Sequence, residues 1–249
     1  MSTILRTSSG LLADLPKRLR VVLFDMDGTL LDTAPDMVGA LNNLRLEHEL
    51  TPLPYDMVRS AVSHGAARVV KIGFENAGAE EFARLQQRFL EIYRGALSEH
   101  TRLFPGMPEV LDELDARGLK YGIVTNKAGW LTEPLLAQMQ LRSRFVCVVS
   151  GDTLAERKPH PLPLLHAASL AGVAPEGCVY VGDAQRDVEA AHAAGMPALV
   201  ANYGYLRPDE DTTAWGGDIY LEHPLDLVGW LRSLDRPTRT PRENSPGTP

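Results

Sequence analysis

Four apolar residues, Val21-Val22-Leu23-Phe24, run without a polar break into Asp25-Met26-Asp27-Gly28-Thr29. The run is too short for a helix and has two β-branched members. It predicts a strand buried on both faces, which requires a sheet covered by helices on either side. Residues alternate along a strand, so Asp25 and Asp27 fall on the same side, and Gly28 lets the backbone turn away after them. Two carboxylates in one small space repel unless a cation lies between them or one keeps a proton. The plainer alternative is an acidic strand-to-helix turn in which Asp27 caps the next helix, and this stretch alone favours chemistry over it only moderately.

The same punctuation returns downstream. Beyond Phe104-Pro105-Gly106, strand patterns at 119–124, 145–149, 178–181, 198–201 and 218–221 alternate with helical patterns at 107–117, 130–139, 161–171, 187–194 and 225–234. Such alternation predicts an α/β fold with a doubly wound, mostly parallel sheet. Between the first strand and Phe104 the periodicity is helical: about 35–48, a short helix from Asp56, another around Val69–Phe74, and 79–97. No convincing strand falls in 36–103. The predicted organisation is therefore a core of residues 1–35 and 104–235 with an inserted small α-helical cap, 36–103. Residues 1–19 read as a loose leader. The tail, 236–249, holds four prolines and no aliphatic or aromatic side chain, which predicts disorder.

Length and charge bound the function. A chain of 249 residues accommodates one α/β domain with an insertion. A net charge of −7 argues against a general nucleic-acid or membrane-surface binder, which needs a basic face. No apolar run approaches the roughly 20 residues of a membrane span. The first residues lack a secretory apolar core, with Asp14, Lys17 and Arg18 interrupting them, so a cytoplasmic location is expected. Cys147 and Cys178 lie in strand-like runs and read as buried free thiols. Oligomeric state is left open.

Three later strands also end in polar residues: Thr125-Asn126-Lys127, Arg157-Lys158-Pro159 reached through a loop, and Gly182-Asp183 with Asp187 four residues on. In a parallel sheet all these ends share one edge, where such folds bind ligands. Acids, a hydroxyl, an amide and a lysine make poor sense as core beside long apolar runs. They make good sense as a Mg²⁺ and phosphoryl site. Each has a plainer alternative: Thr125 as a helix cap, Lys158 as a loop lysine, and Asp187 as an acid at a helix start.

In order and wording these segments resemble the haloacid dehalogenase superfamily, whose four motifs match Asp25-x-Asp27-Gly28-Thr29, Thr125, Lys158-Pro159, and Gly182-Asp183 with Asp187. The resemblance implies a Rossmann-like core, and its helical insertion is similar to that of phosphoglycolate phosphatases. It implies Mg²⁺ held by Asp25, the backbone carbonyl of Asp27 and Asp183, with Asp187 behind them. Asp25 would be the nucleophile that carries an aspartyl-phosphate, and Asp27 the acid and base. Lys158, Thr125 and the backbone near Asn126 would bind phosphoryl oxygens. An acid–base role for Asp27 calls for a raised pKa, which neighbouring negative charge supplies.

The expected activity is hydrolysis of a small-molecule phosphomonoester. A phosphomutase or a phospho-accepting receiver is the remoter alternative. Specificity should lie in the cap, where His64, Gly65 and Arg68 sit between two helices. Tyr203-Gly204-Tyr205, Trp215-Gly216 and His223-Pro224-Leu225 further resemble the N-acetylmuramic acid 6-phosphate phosphatases of bacterial cell-wall recycling. That resemblance sets the amino-sugar phosphate as the first expected substrate and 2-phosphoglycolate as the alternative.

Overall fold

The computed structural model describes Leu12 and residues 15–235; the expected tail, 236–249, and most of the leader lie outside the described residues. β1 (Val21–Phe24) is the central strand of a six-stranded parallel sheet. It pairs on one side with β4 (Lys120–Val124) and on the other with β6 (Cys178–Gly182). β5 (Val148–Val149) extends the sheet beyond β4. β7 (Ala198–Ala201) and β8 (Ile219–Leu221) extend it beyond β6.

The alternation within β1 explains why every residue of it is apolar. Val22 and Phe24 enter one core cluster with Val110, Leu114, Leu227 and Trp230. Val21 and Leu23 enter a second with Leu164, Ala167, Ala190 and Ala191. The first group comes from α6 (Met107–Ala116) and α10 (Pro224–Leu234), the second from α8 (Leu162–Ala171) and α9 (Gln185–Ala193). Burying each large side chain contributes about 1.5–3 kcal/mol, so the central strand anchors both layers. Cys147 and Cys178 are buried and free. Among the described residues no helix is long and apolar enough to cross a membrane.

Between β1 and β4 the chain forms α2 (Ala34–Glu47), α3 (Tyr55–Arg59), α4 (Ala66–Gly73) and α5 (Ala79–Gly95). Leu41, Leu44, Val69, Val70, Leu85 and Phe89 are buried among them. The expectation of no strand in this stretch is corrected at its end. β2 (Leu31–Asp32) pairs antiparallel with β3 (Arg102–Leu103), joining the two crossings by which the helical segment leaves and rejoins the sheet. Two residues per strand are too few for alternation to register in a sequence. Asp36 ties the same crossings, accepting from the amides of His100 and Thr101 at 2.9 and 2.8 Å and from the Thr101 hydroxyl at 2.7 Å.

Two further boundaries differ from expectation. The end of the leader is a helical turn, α1 (Leu15–Arg18), because Leu15 and Leu19, four apart, both bury against the sheet layer. β5 is shorter than the predicted 145–149 because it is an edge strand with β4 as its single neighbour, and Val146 between buried Phe145 and Cys147 is exposed.

Candidate active site

The carboxyl ends of β1, β4 and β6 and the loop after β5 bring the charged segments together, as the topology requires. Asp25 continues β1, its amide donating to the Val181 carbonyl at 2.8 Å. Its Oδ1 accepts from the Met26 amide at 2.7 Å and pairs with Lys158 Nζ at 3.0 Å. Its Oδ2 lies 3.9 Å from the Arg186 guanidinium. The Lys158 side chain is fully buried, and its ammonium also meets Asp187 Oδ1 at 2.8 Å and donates to the Tyr180 hydroxyl at 2.6 Å. Tyr180 in turn donates to the Val124 carbonyl at 2.7 Å. The ammonium thus has two carboxylates and one hydroxyl acceptor around it, which makes burial of the charge tolerable.

Asn126 does not point its amide at the cavity. Its Nδ2 donates to the Lys158 carbonyl at 2.9 Å and its Oδ1 accepts from the Lys158 amide at 3.1 Å, fixing the backbone that carries the lysine. Thr125 is buried, and its hydroxyl accepts from the Lys127 amide at 3.1 Å.

Oxygens of Asp25, Asp183 and Asp187 lie within 4.8 Å of one another. Asp183 Oδ2 accepts from the Ser63 hydroxyl at 2.5 Å and the Tyr205 amide at 3.0 Å, while its Oδ1 is buried without a partner. Burial, then the negative charges of Asp25 and Asp187, push the Asp183 carboxyl up to about 7. Asp187 is raised by its burial, with Lys158 opposing the rise. The crowding depends on glycine. A Cβ on Gly28, which has φ +84°, would fall 2.1 Å from Asp183 Oδ2, and one on Gly204 would fall 2.4 Å from Asp183 Cβ. Three clustered carboxylates with an orphaned buried oxygen suit a hard divalent cation such as Mg²⁺, which prefers oxygen ligands.

The Asp27 carboxylate is not in that cluster. Its Oδ1 accepts from the Thr33 hydroxyl at 2.6 Å and from Lys127 Nζ at 3.0 Å. Lys127 also donates to the Tyr93 hydroxyl at 2.9 Å. Burial works against the Lys127 charge, but Asp27 and Tyr93 outweigh it and raise the ammonium above its ordinary value. Asp27 therefore meets a cation where the sequence led us to expect negative charge.

A cavity of about 410 Å³ opens between this edge and the helical segment, lined by Asp25, Asp27, Thr125 and Lys127 together with Tyr93, Trp130 and the stretch from Val62 into the start of α4 at Ala67. His64 and Gly65 are in that stretch; partial burial and then the Arg186 charge lower the His64 pKa. Arg68 is exposed in the first turn of α4 and does not line the cavity. Two other arginines do. Arg157 has no side-chain partner among the described residues. Arg186 donates to the Ser63 carbonyl at 2.6 Å, and its Nε is buried without an acceptor.

Sequence reasoning missed Tyr93, Tyr180 and Arg186, and it gave Lys127 and Ser63 no role of their own, although Lys127 closes the Thr125-Asn126-Lys127 segment and Arg186 sits beside a motif residue. Tyr203, Tyr205, Trp215 and His223 do not line the cavity. Tyr203 donates to the Thr29 carbonyl at 3.1 Å. The Tyr205 hydroxyl bridges Asp32 Oδ1 and the Ala34 amide, at 2.7 and 2.8 Å. His223 Nδ1 accepts the Leu225 amide at 3.2 Å, capping α10.

Comparison with known proteins agrees with this geometry. The family model for haloacid dehalogenase-like hydrolases matches residues 22–201. The chain is 43% identical over 208 residues to a phosphoglycolate phosphatase of Xanthomonas campestris pv. campestris strain 8004, spanning 84% of this chain and 94% of that one. It is 37% identical over 215 residues to an N-acetylmuramic acid 6-phosphate phosphatase of Pseudomonas aeruginosa PAO1, spanning 86% and 95%. Among solved structures, a predicted phosphoglycolate phosphatase from Haemophilus somnus 129PT superposes with a TM-score of 0.77 at 26% identity, covering 86% of this chain and 98% of that one. On sequence, fold and the convergence of its acids, the chain belongs to the haloacid dehalogenase-like hydrolases, as one of their phosphatases.

Proposed function

We propose that this phosphatase is Mg²⁺-dependent, uses Asp25 as nucleophile and Asp27 as acid and base, and acts on 2-phosphoglycolate. The observation that carries the substrate reading is the pair of guanidinium groups, Arg157 and Arg186, in the same cavity as Asp25. A phosphoryl group needs only part of the positive charge gathered there. A second anionic group a few atoms away would use the rest, and a planar guanidinium accepts a carboxylate in two hydrogen bonds. The name of the Xanthomonas relative supports the same order. The aromatic residues that favoured an amino-sugar phosphate have structural partners instead.

In this mechanism Lys158 and the Met26 amide hold Asp25 Oδ1, which leaves Oδ2 to attack phosphorus. The ester P–O bond breaks as the new bond to Oδ2 forms, and Asp27 protonates the departing alkoxide. Asp27 then takes a proton from the water that cleaves the acyl phosphate and regenerates Asp25. Asp25, Asp183 and Asp187 would hold Mg²⁺, whose contribution is neutralisation of charge on the phosphoryl oxygens. In this reading the Thr125 hydroxyl, which accepts from the Lys127 amide, donates its own hydrogen to those oxygens.

The second reading, N-acetylmuramic acid 6-phosphate, draws on the Pseudomonas relative and on a cavity of about 410 Å³, which is roomy for a two-carbon acid. Phosphate release from the two esters, measured side by side with Mg²⁺, separates them. We expect a higher kcat/KM with 2-phosphoglycolate; strong preference for the amino sugar would reverse the order. Either substrate fits the cytoplasmic location expected from the sequence.

A further inference from the structure

The aspartyl-phosphate chemistry gives Lys127 no task, yet its side chain is almost fully enclosed, 6% exposed, with both partners fixed. We infer that Lys127 and Tyr93 form a positioning relay for Asp27, so that the acid–base carboxylate is held in place while the helical segment is seated on the core. The inference rests on the assignment of Asp27 as acid and base.

Three elements meet at this point. Asp27 follows β1, Lys127 follows β4, and Tyr93 lies on α5 in the helical segment between the two crossings. Lys127 Nζ is 3.0 Å from Asp27 Oδ1, 2.9 Å from the Tyr93 hydroxyl and 4.6 Å from the centre of the Tyr93 ring. Tyr93 is itself wholly buried and stacks on Phe89 of the same helix. Displacing α5 therefore removes one of the two anchors of the ammonium.

The consequence falls on a single atom. Thr33 and Lys127 both donate to Asp27 Oδ1, so Oδ2 is the oxygen left to exchange a proton with the leaving group. When the ester bond breaks, its electron pair stays on the departing oxygen, which takes that proton from Asp27 Oδ2. An alkoxide needs the proton during bond cleavage, whereas p-nitrophenolate, a far weaker base, leaves without it. Loss of positioning should therefore be selective between alkyl and aryl esters in kcat/KM, which reports cleavage of the ester bond; hydrolysis of the aspartyl-phosphate, where Asp27 is the base whichever ester supplied it, enters kcat alone. A lysine that bound the phosphoryl group, or one that only supported the fold, would affect both alike.

The test measures kcat and KM of the full-length enzyme with Mg²⁺ on 2-phosphoglycolate and on p-nitrophenyl phosphate. We expect Lys127→Met to lower kcat/KM on the alkyl ester by about thirtyfold to a hundredfold, and on the aryl ester by less than about fivefold. Tyr93→Phe keeps the ring under the ammonium and is the milder perturbation of the core. It should shift the alkyl-to-aryl ratio the same way, by about threefold to tenfold. Should Lys127→Met fail to fold, Tyr93→Phe decides. Equal losses on both esters in Lys127→Met, or an unchanged ratio in Tyr93→Phe, would overturn the relay. Asp27→Asn is the control for the underlying assignment. If that variant loses kcat/KM equally on both esters, the acid role of Asp27 falls and the relay with it; selective loss of kcat/KM there beside equal loss in Lys127→Met sinks the relay alone.

Discussion

Neutralising one acid of the buried cluster should stabilise the metal-free enzyme. Asp183 is the member to change, because its Oδ1 has no partner while its Oδ2 already accepts from Ser63 and Tyr205. In Asp183→Asn the amide oxygen can keep both of those donors. The new NH₂ then replaces the orphaned oxygen and faces Asp25 and Asp187 as a donor. A rise from 3.8 to about 7 corresponds to about 4 kcal/mol of penalty for the ionised form. Because three acids share the strain, a gain of about 2–4 kcal/mol is expected, or roughly 5–15 °C in Tm. The pH dependence has a definite sign. With the folded value above the unfolded one, the proton on Asp183 favours the fold. That contribution is complete below about pH 4 and lost as pH rises through about 7. Urea or thermal unfolding in EDTA at pH 8 should therefore show the variant more stable, with the gap closing toward pH 4. Millimolar Mg²⁺ should stabilise the wild type and leave the variant nearly unchanged. A variant no more stable than wild type at pH 8 in EDTA, or a gain independent of pH, would refute the electrostatic account of the cluster.

Other substitutions probe the remaining roles. Asp25→Asn should reduce phosphate release by at least about a thousandfold while leaving the far-ultraviolet circular dichroism spectrum intact; near-normal turnover would remove Asp25 as nucleophile. Arg157→Gln should lower kcat/KM for 2-phosphoglycolate relative to p-nitrophenyl phosphate by about tenfold to a hundredfold, the range of one charge-assisted contact. Arg68→Ala, outside the cavity lining, should change that ratio by less than about twofold, and steady-state kinetics on the same pair of esters checks both. Gly204→Ala places a methyl group against Asp183 Cβ and the Gly28 carbonyl, and denaturant unfolding should find it destabilised by about 1–3 kcal/mol.

Much of this site is legible in the sequence because its parts interrupt apolar runs. Asp25 and Asp183 end buried strands, Lys158 precedes a proline, and one parallel sheet brings such ends to one edge. Asp187 shows where local pattern stops. A helix-start acid and a member of the site were alternatives, yet its two oxygens do both: Oδ2 accepts the Ala184 amide at 3.0 Å and Oδ1 pairs with Lys158. Tyr180 was invisible for a different reason. An aromatic residue inside a strand reads as core, and only its hydroxyl, at the far end of the ring, reaches Lys158. Ser63 and Asp183, or Tyr93 and Lys127, meet across the gap between sheet and helices, where no periodicity in the chain reports proximity. The segment from Tyr203 to Tyr205 was read as bearing on substrate, yet its rings do not line the cavity, because a sequence gives residue types and not the direction they face. In the fold these rings brace the turn after β1 and the first crossing.

The paired crossings, β2 with β3 and clasped by Asp36, have a wider consequence. The chain departs from and returns to the core at neighbouring points, so everything between Ala34 and Thr101 hangs from one narrow waist. Loop-closure entropy grows only slowly with the length of what such a waist encloses. The enclosed helices can therefore lengthen at little entropic cost so long as Ser63 and Tyr93 still reach the catalytic edge.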